Sequence, residues 1–227
     1  MSVHESNNES GMSRVTRSKH EARASYDRMS RLYDVFGAFE RKYKYVGLRK
    51  LEAGDGEKIL EIGFGTGHCI LALAQSVGDL GKVYGIDISE GMCRVALSRL
   101  EKSELSQRVE LQCGDATWLP FKANYFDAVF MSFALELFDT PEIPVVLREC
   151  RRVLKNKGRI CIVTMSKKDN DAILVRLYEW FHRMLPNYVD CRPIFGRRAL
   201  EQAGFNIHEV MEMSMWGLPV EVILATK

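Results

Sequence analysis

The residues of this chain whose types and spacing could do chemistry begin with Glu61-Ile62-Gly63-Phe64-Gly65-Thr66-Gly67 and continue to Asp87. Alternate glycines take backbone conformations closed to other residues and let a ligand lie directly on the peptide groups. Free N–H groups at a helix start just beyond them favour a negatively charged ligand group. Asp87 ends the stretch Lys82-Val83-Tyr84-Gly85-Ile86-Asp87, where a carboxylate can accept hydrogen bonds from both hydroxyls of a ribose. The combination describes a nucleoside-cofactor site. A dinucleotide would want a third glycine at the position held here by His68. Glu61 would also repel a pyrophosphate, and suits a cofactor that carries positive charge. The plain alternative is a glycine turn that only packs a helix on a strand.

Such a site needs strands that end at the loop. Apolar runs place strands near 58–63, 82–87, 108–113, 125–131 and 158–165, with helices near 66–77, 89–101 and 141–154. Ser89 is a suitable N-cap, and Pro141 fits a first helical turn. The alternation predicts an α/β fold, a parallel sheet covered by helices on both faces, with ligands beyond the carboxyl ends of the strands. Residues 1–17 read as a disordered tail and 18–53 as a helical cap, with one helix over about 38–51. Residues 54–227 read as the main domain, with a helical insertion at about 170–203. Within that insertion, helices are expected over 171–184 and 195–202. Two last strands, 205–213 and 220–226, are joined through Gly217-Leu218-Pro219.

The Glu-x-Gly-x-Gly-x-Gly pattern with Asp87 resembles the first two motifs of class I S-adenosylmethionine-dependent methyltransferases. Val109–Ala116 resembles the family's third strand, ending in Gly114-Asp115-Ala116, where the adenine is held. Leu119-Pro120-Phe121 with Phe126-Asp127-Ala128-Val129 resembles the stretch into the fourth strand. Arg152-Val153-Leu154-Lys155-Asn156-Lys157-Gly158 resembles the turn before the fifth, with Asn156 and Lys157 departing from the pattern. The resemblance implies a Rossmann-like seven-stranded sheet and S-adenosylmethionine as cofactor. It implies a cofactor set of Glu61, Gly63, Phe64, Gly65, Thr66, Gly67, Asp87, Ile88, Met92, Gly114, Asp115, Ala116 and Ser132. Asp115 would accept from the exocyclic amine, with the Ala116 and Thr117 backbone at the ring edge.

Methyl transfer from a sulfonium is a displacement, so orientation alone supplies roughly 7–11 kcal/mol of barrier lowering. The motifs therefore mark the cofactor better than any catalyst. Tyr26-Asp27-Arg28-Met29-Ser30-Arg31-Leu32-Tyr33-Asp34 resembles the opening of ubiquinone and menaquinone biosynthesis methyltransferases, where that segment folds over the cofactor. Tyr26 and Tyr33 are lid candidates, or an aromatic stripe that packs the helix. Ser132-Phe133-Ala134-Leu135-Glu136 would face the methyl group in the family. Glu136 reads as a general base or a solvated loop carboxylate. The stretch holding Tyr178 and His182 reads as an apolar lid, His182 as a base or a surface histidine. Arg192 reads as a contact to an acidic substrate group or as a surface ion pair. The connection at 187–194 is shorter than those enzymes use, and it falls where the acceptor should bind.

Composition narrows the rest. A 46% hydrophobic, 27% charged chain with net charge +2 gives no electrostatic case for nucleic acid. No apolar run is long enough for an integral membrane segment, and the polar start is not a secretory signal, so a cytoplasmic protein is expected. Six scattered cysteines and five histidines lack ligand spacing, so no metal site is expected. The expected activity is methyl transfer to a small or lipid-like acceptor, with C-methylation of a quinone precursor as one form. N-methylation of a phospholipid headgroup or small amine stands beside it. A non-catalytic S-adenosylmethionine-binding protein and a nicotinamide-dependent oxidoreductase are the rivals from other classes.

Overall fold

A computed structural model describes Asp27, residues 39–167 and residues 192–227. Its centre is a seven-stranded sheet in the order β3-β2-β1-β4-β5-β7-β6. The strands are β1 (Lys58–Ile62), β2 (Lys82–Asp87), β3 (Val109–Cys113), β4 (Phe126–Ser132), β5 (Leu154–Met165), β6 (Asn206–Met215) and β7 (Leu218–Thr226). β1 to β5 pair in parallel, and β7 runs antiparallel to both β5 and β6. β1 and β4 are buried on both sides because each face is covered by helices.

One face carries α1 (Arg41–Leu51), α2 (His68–Ser76) and α3 (Glu90–Glu101) over Ile59, Val83, Phe130 and Val163. The other carries α4 (Ile143–Val153) and α5 (Gly196–Gln202) over Leu60, Ile62, Val129 and Ile162. α1 lies so close to the sheet that a Cβ on Gly47 would stand 2.5 Å from Val163 Cγ2. The guanidinium of Arg159 donates to the Leu51 and Glu52 carbonyls and forks onto Glu57, which fixes the C-terminal end of α1. The expected cap segment is therefore packed into the sheet layer over its last eleven helical residues.

Some boundaries differ from expectation. β5 begins at Leu154 instead of 158, because a register shift between Phe126 and Ala128 carries the strand past Lys157, whose φ is 65°. β3 is preceded by a 3-10 turn over Ser106–Arg108. The last hairpin turns at Trp216-Gly217, tighter than Gly217-Leu218-Pro219, because both turn residues take positive φ. The expected tail, the helix over 171–184, and the candidates Tyr26, Tyr33, Tyr178 and His182 lie outside the described residues. Among the described residues, no helix is long and apolar enough to cross a membrane.

Candidate active site

β1, β2 and β4 end together, since Ile62 pairs with Ile86 and with Met131. The glycine loop leaves β1 at that end, with φ of 71°, 54° and 83° at Gly63, Gly65 and Gly67. The three glycines are needed for different reasons. A Cβ on Gly63 would lie 2.5 Å from the Ala134 Cβ, and one on Gly67 would lie 2.9 Å from the Ala96 Cβ. A Cβ on Gly65 would meet no atom of the described residues within 4 Å. The first and third glycines allow close packing, while the middle one borders open space, where a ligand can rest on the backbone. Phe64 and Thr66 between them are buried, and Gly67 caps α2.

Asp87 closes the second side. Its Oδ2 accepts from the Gly65 N–H at 2.8 Å and its Oδ1 from the Ser89 N–H at 2.9 Å. Each oxygen keeps a second acceptor position. Burial raises the Asp87 pKa, with the Ser89 and Gly65 N–H groups opposing and Asp27 adding to the rise. Ser89 caps α3 by accepting from the Met92 N–H, and Met92 itself is buried. Ile88 is half-buried in the turn between them.

Glu61 is 1% exposed, and its Oε2 has no hydrogen-bond partner among the described residues. Burial pushes its carboxyl well above the usual glutamate range; Lys44 opposes that and Asp87 reinforces it. A buried carboxylate oxygen without a donor is costly unless a cation arrives. The residues present therefore fit a ligand with a cationic group, a ribose and a portion that rests on the backbone, features that S-adenosylmethionine has.

On the third side, the Gly114 N–H donates to the Asp87 carbonyl at 2.9 Å, which sets Asp115 and the buried Ala116 beside the loop. The Asp115 Oδ1 accepts from the Thr117 N–H at 2.9 Å, so that N–H is engaged within its own turn. After β4, the buried Ser132 leads to Phe133, which has φ of 51° and packs edge-on to Tyr43 with ring centroids 6.3 Å apart.

Glu136 is fully buried, not a solvated loop carboxylate. Its Oε1 accepts from the Met165 N–H at 3.1 Å and its Oε2 from the Thr164 hydroxyl at 3.0 Å. Burial raises its pKa to about 7 against those hydrogen bonds. It ties the loop after β4 to the end of β5. Arg192 is also fully buried rather than at the surface. It donates to the Phe138 carbonyl at 2.7 Å and the Thr140 hydroxyl at 3.2 Å.

Two residues outside the expected set belong here. The Asp27 Oδ1 accepts from the Ser89 hydroxyl at 2.6 Å and the Gly91 N–H at 2.7 Å, so it holds the start of α3 next to Asp87. Lys44, paired with Glu40 at 2.7 Å, is a cation whose charge acts on Glu61. Asp27 stands in the sequence within the Tyr-Asp opening; Lys44 has no local signal, because helix packing brings it to Glu61.

Residues 59–158 match the family described as methyltransferase domain. The chain carries a methyltransferase domain. The fold around it is that of the class I methyltransferases. Similar solved structures include a SAM dependent methyltransferase from Aquifex aeolicus, with TM-score 0.61 and 25% identity over 81% of this chain and 88% of that one. The YcgJ protein from Bacillus subtilis matches with TM-score 0.68 and 20% identity over 82% and 98%. The [4+2]-cyclase SpnF shares the fold at TM-score 0.66 and 19% identity over 82% and 80%, so the fold alone does not name a reaction. In sequence, the methyltransferase domain is similar to demethylmenaquinone methyltransferase of Lactobacillus johnsonii, 31% identical over 72% of this chain and 65% of that protein. It is also similar to demethylmenaquinone methyltransferase of Bacillus mycoides, 38% identical over 61% and 60%. The ubiquinone/menaquinone biosynthesis C-methyltransferase UbiE of Paraburkholderia phytofirmans is 38% identical over 65% and 58%. The matched region is less than two thirds of each of these relatives.

Proposed function

We propose that this chain transfers the methyl group of S-adenosylmethionine to a lipid-like acceptor, in the form of C-methylation of a quinone-precursor ring. The observation that carries the cofactor half is the orphaned, fully buried Glu61 Oε2 beside the open space at Gly65. Relatives named for demethylmenaquinone and ubiquinone methylation support the acceptor half. When bound, the cofactor supplies an electrophilic methyl on a sulfonium.

The chain's own residues bind and orient. Glu61 receives the ammonium, the Gly63–Gly67 backbone lies under the amino-acid portion, and Asp87 accepts from the ribose. Ile88 and Met92 line the nucleoside, and Gly114, Asp115 and Ala116 border the adenine. Ser132 borders the methyl-transfer end, beside the loop that Glu136 anchors. Glu136 acts by position, since its carboxyl is fully buried and tied to the end of β5 through Thr164 and Met165. The acceptor carbon becomes nucleophilic as an enolate or phenolate, so its hydroxyl proton leaves before transfer. Held by these residues, the cofactor would supply its methyl to that ring carbon and leave as S-adenosylhomocysteine, with the hydroxyl and ring protons passing to water.

Calorimetric titration with S-adenosylmethionine, S-adenosylhomocysteine and NADH tests the cofactor. Binding of the two adenosyl compounds without NADH is expected, and NADH binding alone would overturn the reading. Labelled methyl transfer to a demethylmenaquinol, compared with transfer to a phospholipid amine, tests the acceptor; transfer to the amine alone would move the function to N-methylation.

A further inference from the structure

Trp216 occupies a position that folding does not favour. With Gly217 it forms the two-residue turn between the paired Met215 and Leu218, and their φ values are 51° and 86°. Asn-Gly meets that turn best, and a bulky residue held at positive φ is strained there. The indole recovers little through burial. It is 70% exposed, and it touches Phe39 edge-on at 4.8 Å, a ring that is itself 56% exposed. Strain kept without burial points to a role outside folding.

The surroundings name the partner. The turn extends beyond Val220, which pairs with Met165 at the carboxyl end of β5, so Trp216 stands at the end of the sheet where Gly65 and Asp87 lie. The Tyr43 hydroxyl donates to the Ser214 carbonyl at 2.6 Å, which joins α1 to the same hairpin. The outer face of α1 repeats at helical spacing as Arg41, Lys42, Tyr45 and Arg49, all exposed, and Arg41–Leu51 contains no acid. Lys44 pairs with Glu40 and Lys50 with Glu209. Arg41, Lys42 and Arg49 have no carboxylate partner among the described residues.

We infer that this face, Phe39 and Trp216 flanked by Arg41, Lys42, Tyr45 and Arg49, docks on an anionic lipid bilayer. The inference rests on the proposed lipid-like acceptor, which would reach the site from the bilayer without crossing water. Aromatic rings with a polar edge settle at the headgroup level, and unpaired cations are drawn to anionic lipid. The positive charge selects a bilayer over an apolar protein surface, which would leave three cations buried and unpaired.

The test is co-sedimentation of the full chain with phosphatidylcholine vesicles and with vesicles that also contain phosphatidylglycerol. Binding to the anionic vesicles is expected, weakening as salt rises. Arg41→Gln/Lys42→Gln/Arg49→Gln should lower the partition about fivefold per charge, or on the order of 100-fold together. Trp216→Asn should lower it roughly tenfold while leaving the melting temperature equal or higher, since asparagine suits the turn. Equal partition onto neutral vesicles, or an unchanged partition for Trp216→Asn, would overturn the docking face. Titration of the same proteins with S-adenosylmethionine separates the two readings. A chain that binds cofactor but no vesicle loses only the docking face, and a chain that sediments but binds no cofactor loses only the proposed function.

Discussion

At the scale of single residues, the glycine loop separates two jobs that one motif hides. Gly65→Val adds a side chain to open space at a φ of 54°, so it should cost roughly 1–2 kcal/mol of strain and remove S-adenosylmethionine binding. Gly63→Ala drives a methyl to 2.5 Å from Ala134, so its loss should show first in the melting temperature. Calorimetric affinity set beside thermal melts distinguishes the two variants. Glu136 makes a second prediction. Its folded pKa of about 7 lies above the ordinary glutamate value of 4.5, so the folded chain keeps a proton that the unfolded chain releases between those pH values. The stability it contributes is full below about pH 4.5 and is lost as pH rises through about 7, by roughly 3 kcal/mol. Glu136→Gln can accept from the Met165 N–H and donate to the Thr164 hydroxyl, so it should flatten that loss in urea melts at pH 5 and pH 8. If the variant instead slowed methyl transfer by roughly two orders of magnitude or more with stability unmoved, Glu136 would be a base.

At the scale of elements, the helix over Arg41–Leu51 is the piece whose importance exceeds its sequence signal. It covers β4 and β5 through Gly47, brings Lys44 to act on Glu61, and carries the basic outer face beside Trp216. Gly47→Ala should push α1 off Val163 and Phe130 and cost about 1–3 kcal/mol. Hydrogen exchange should then quicken in α1 while the β1–β2 pairing stays protected, and uniform loss of protection would contradict a local effect. The strands and helices of the cofactor half are legible because each is a contiguous apolar run ending in glycine or a capping residue. The start of β5 is not legible in the same way, because a bulge is set by its partner strand: the shift opposite Phe126 and Ala128 has no mark near Asn156.

At the scale of the whole molecule, cofactor binding and stability are linked. A ligand that binds only the folded chain, at a hundred times its dissociation constant, stabilises it by about 2.7 kcal/mol. For a chain of this length that corresponds to a rise in melting temperature of roughly 5–11 °C. S-adenosylmethionine should produce that rise in a thermal scan and NADH should not. The two sheet faces make the linkage cooperative, because the loop at Gly63 packs on Ala134 of the strand-four side and on Ala96 of α3 through Gly67.

The sequence by itself pointed to a nucleoside cofactor and to the end of the sheet where its motifs gather. Glu61, the glycines, Asp87 and Asp115 sit at the ends of local runs, and local runs carry their own geometry. Tertiary structure decided what the isolated polar residues do. Glu136 and Arg192 read as surface or catalytic groups until packing removes them from water and gives them carbonyl, hydroxyl and N–H partners from other elements. It also decided which of three similar glycines borders open space and which aromatic stays exposed under strain. Those properties depend on neighbours distant in the chain, and only the folded chain brings them together.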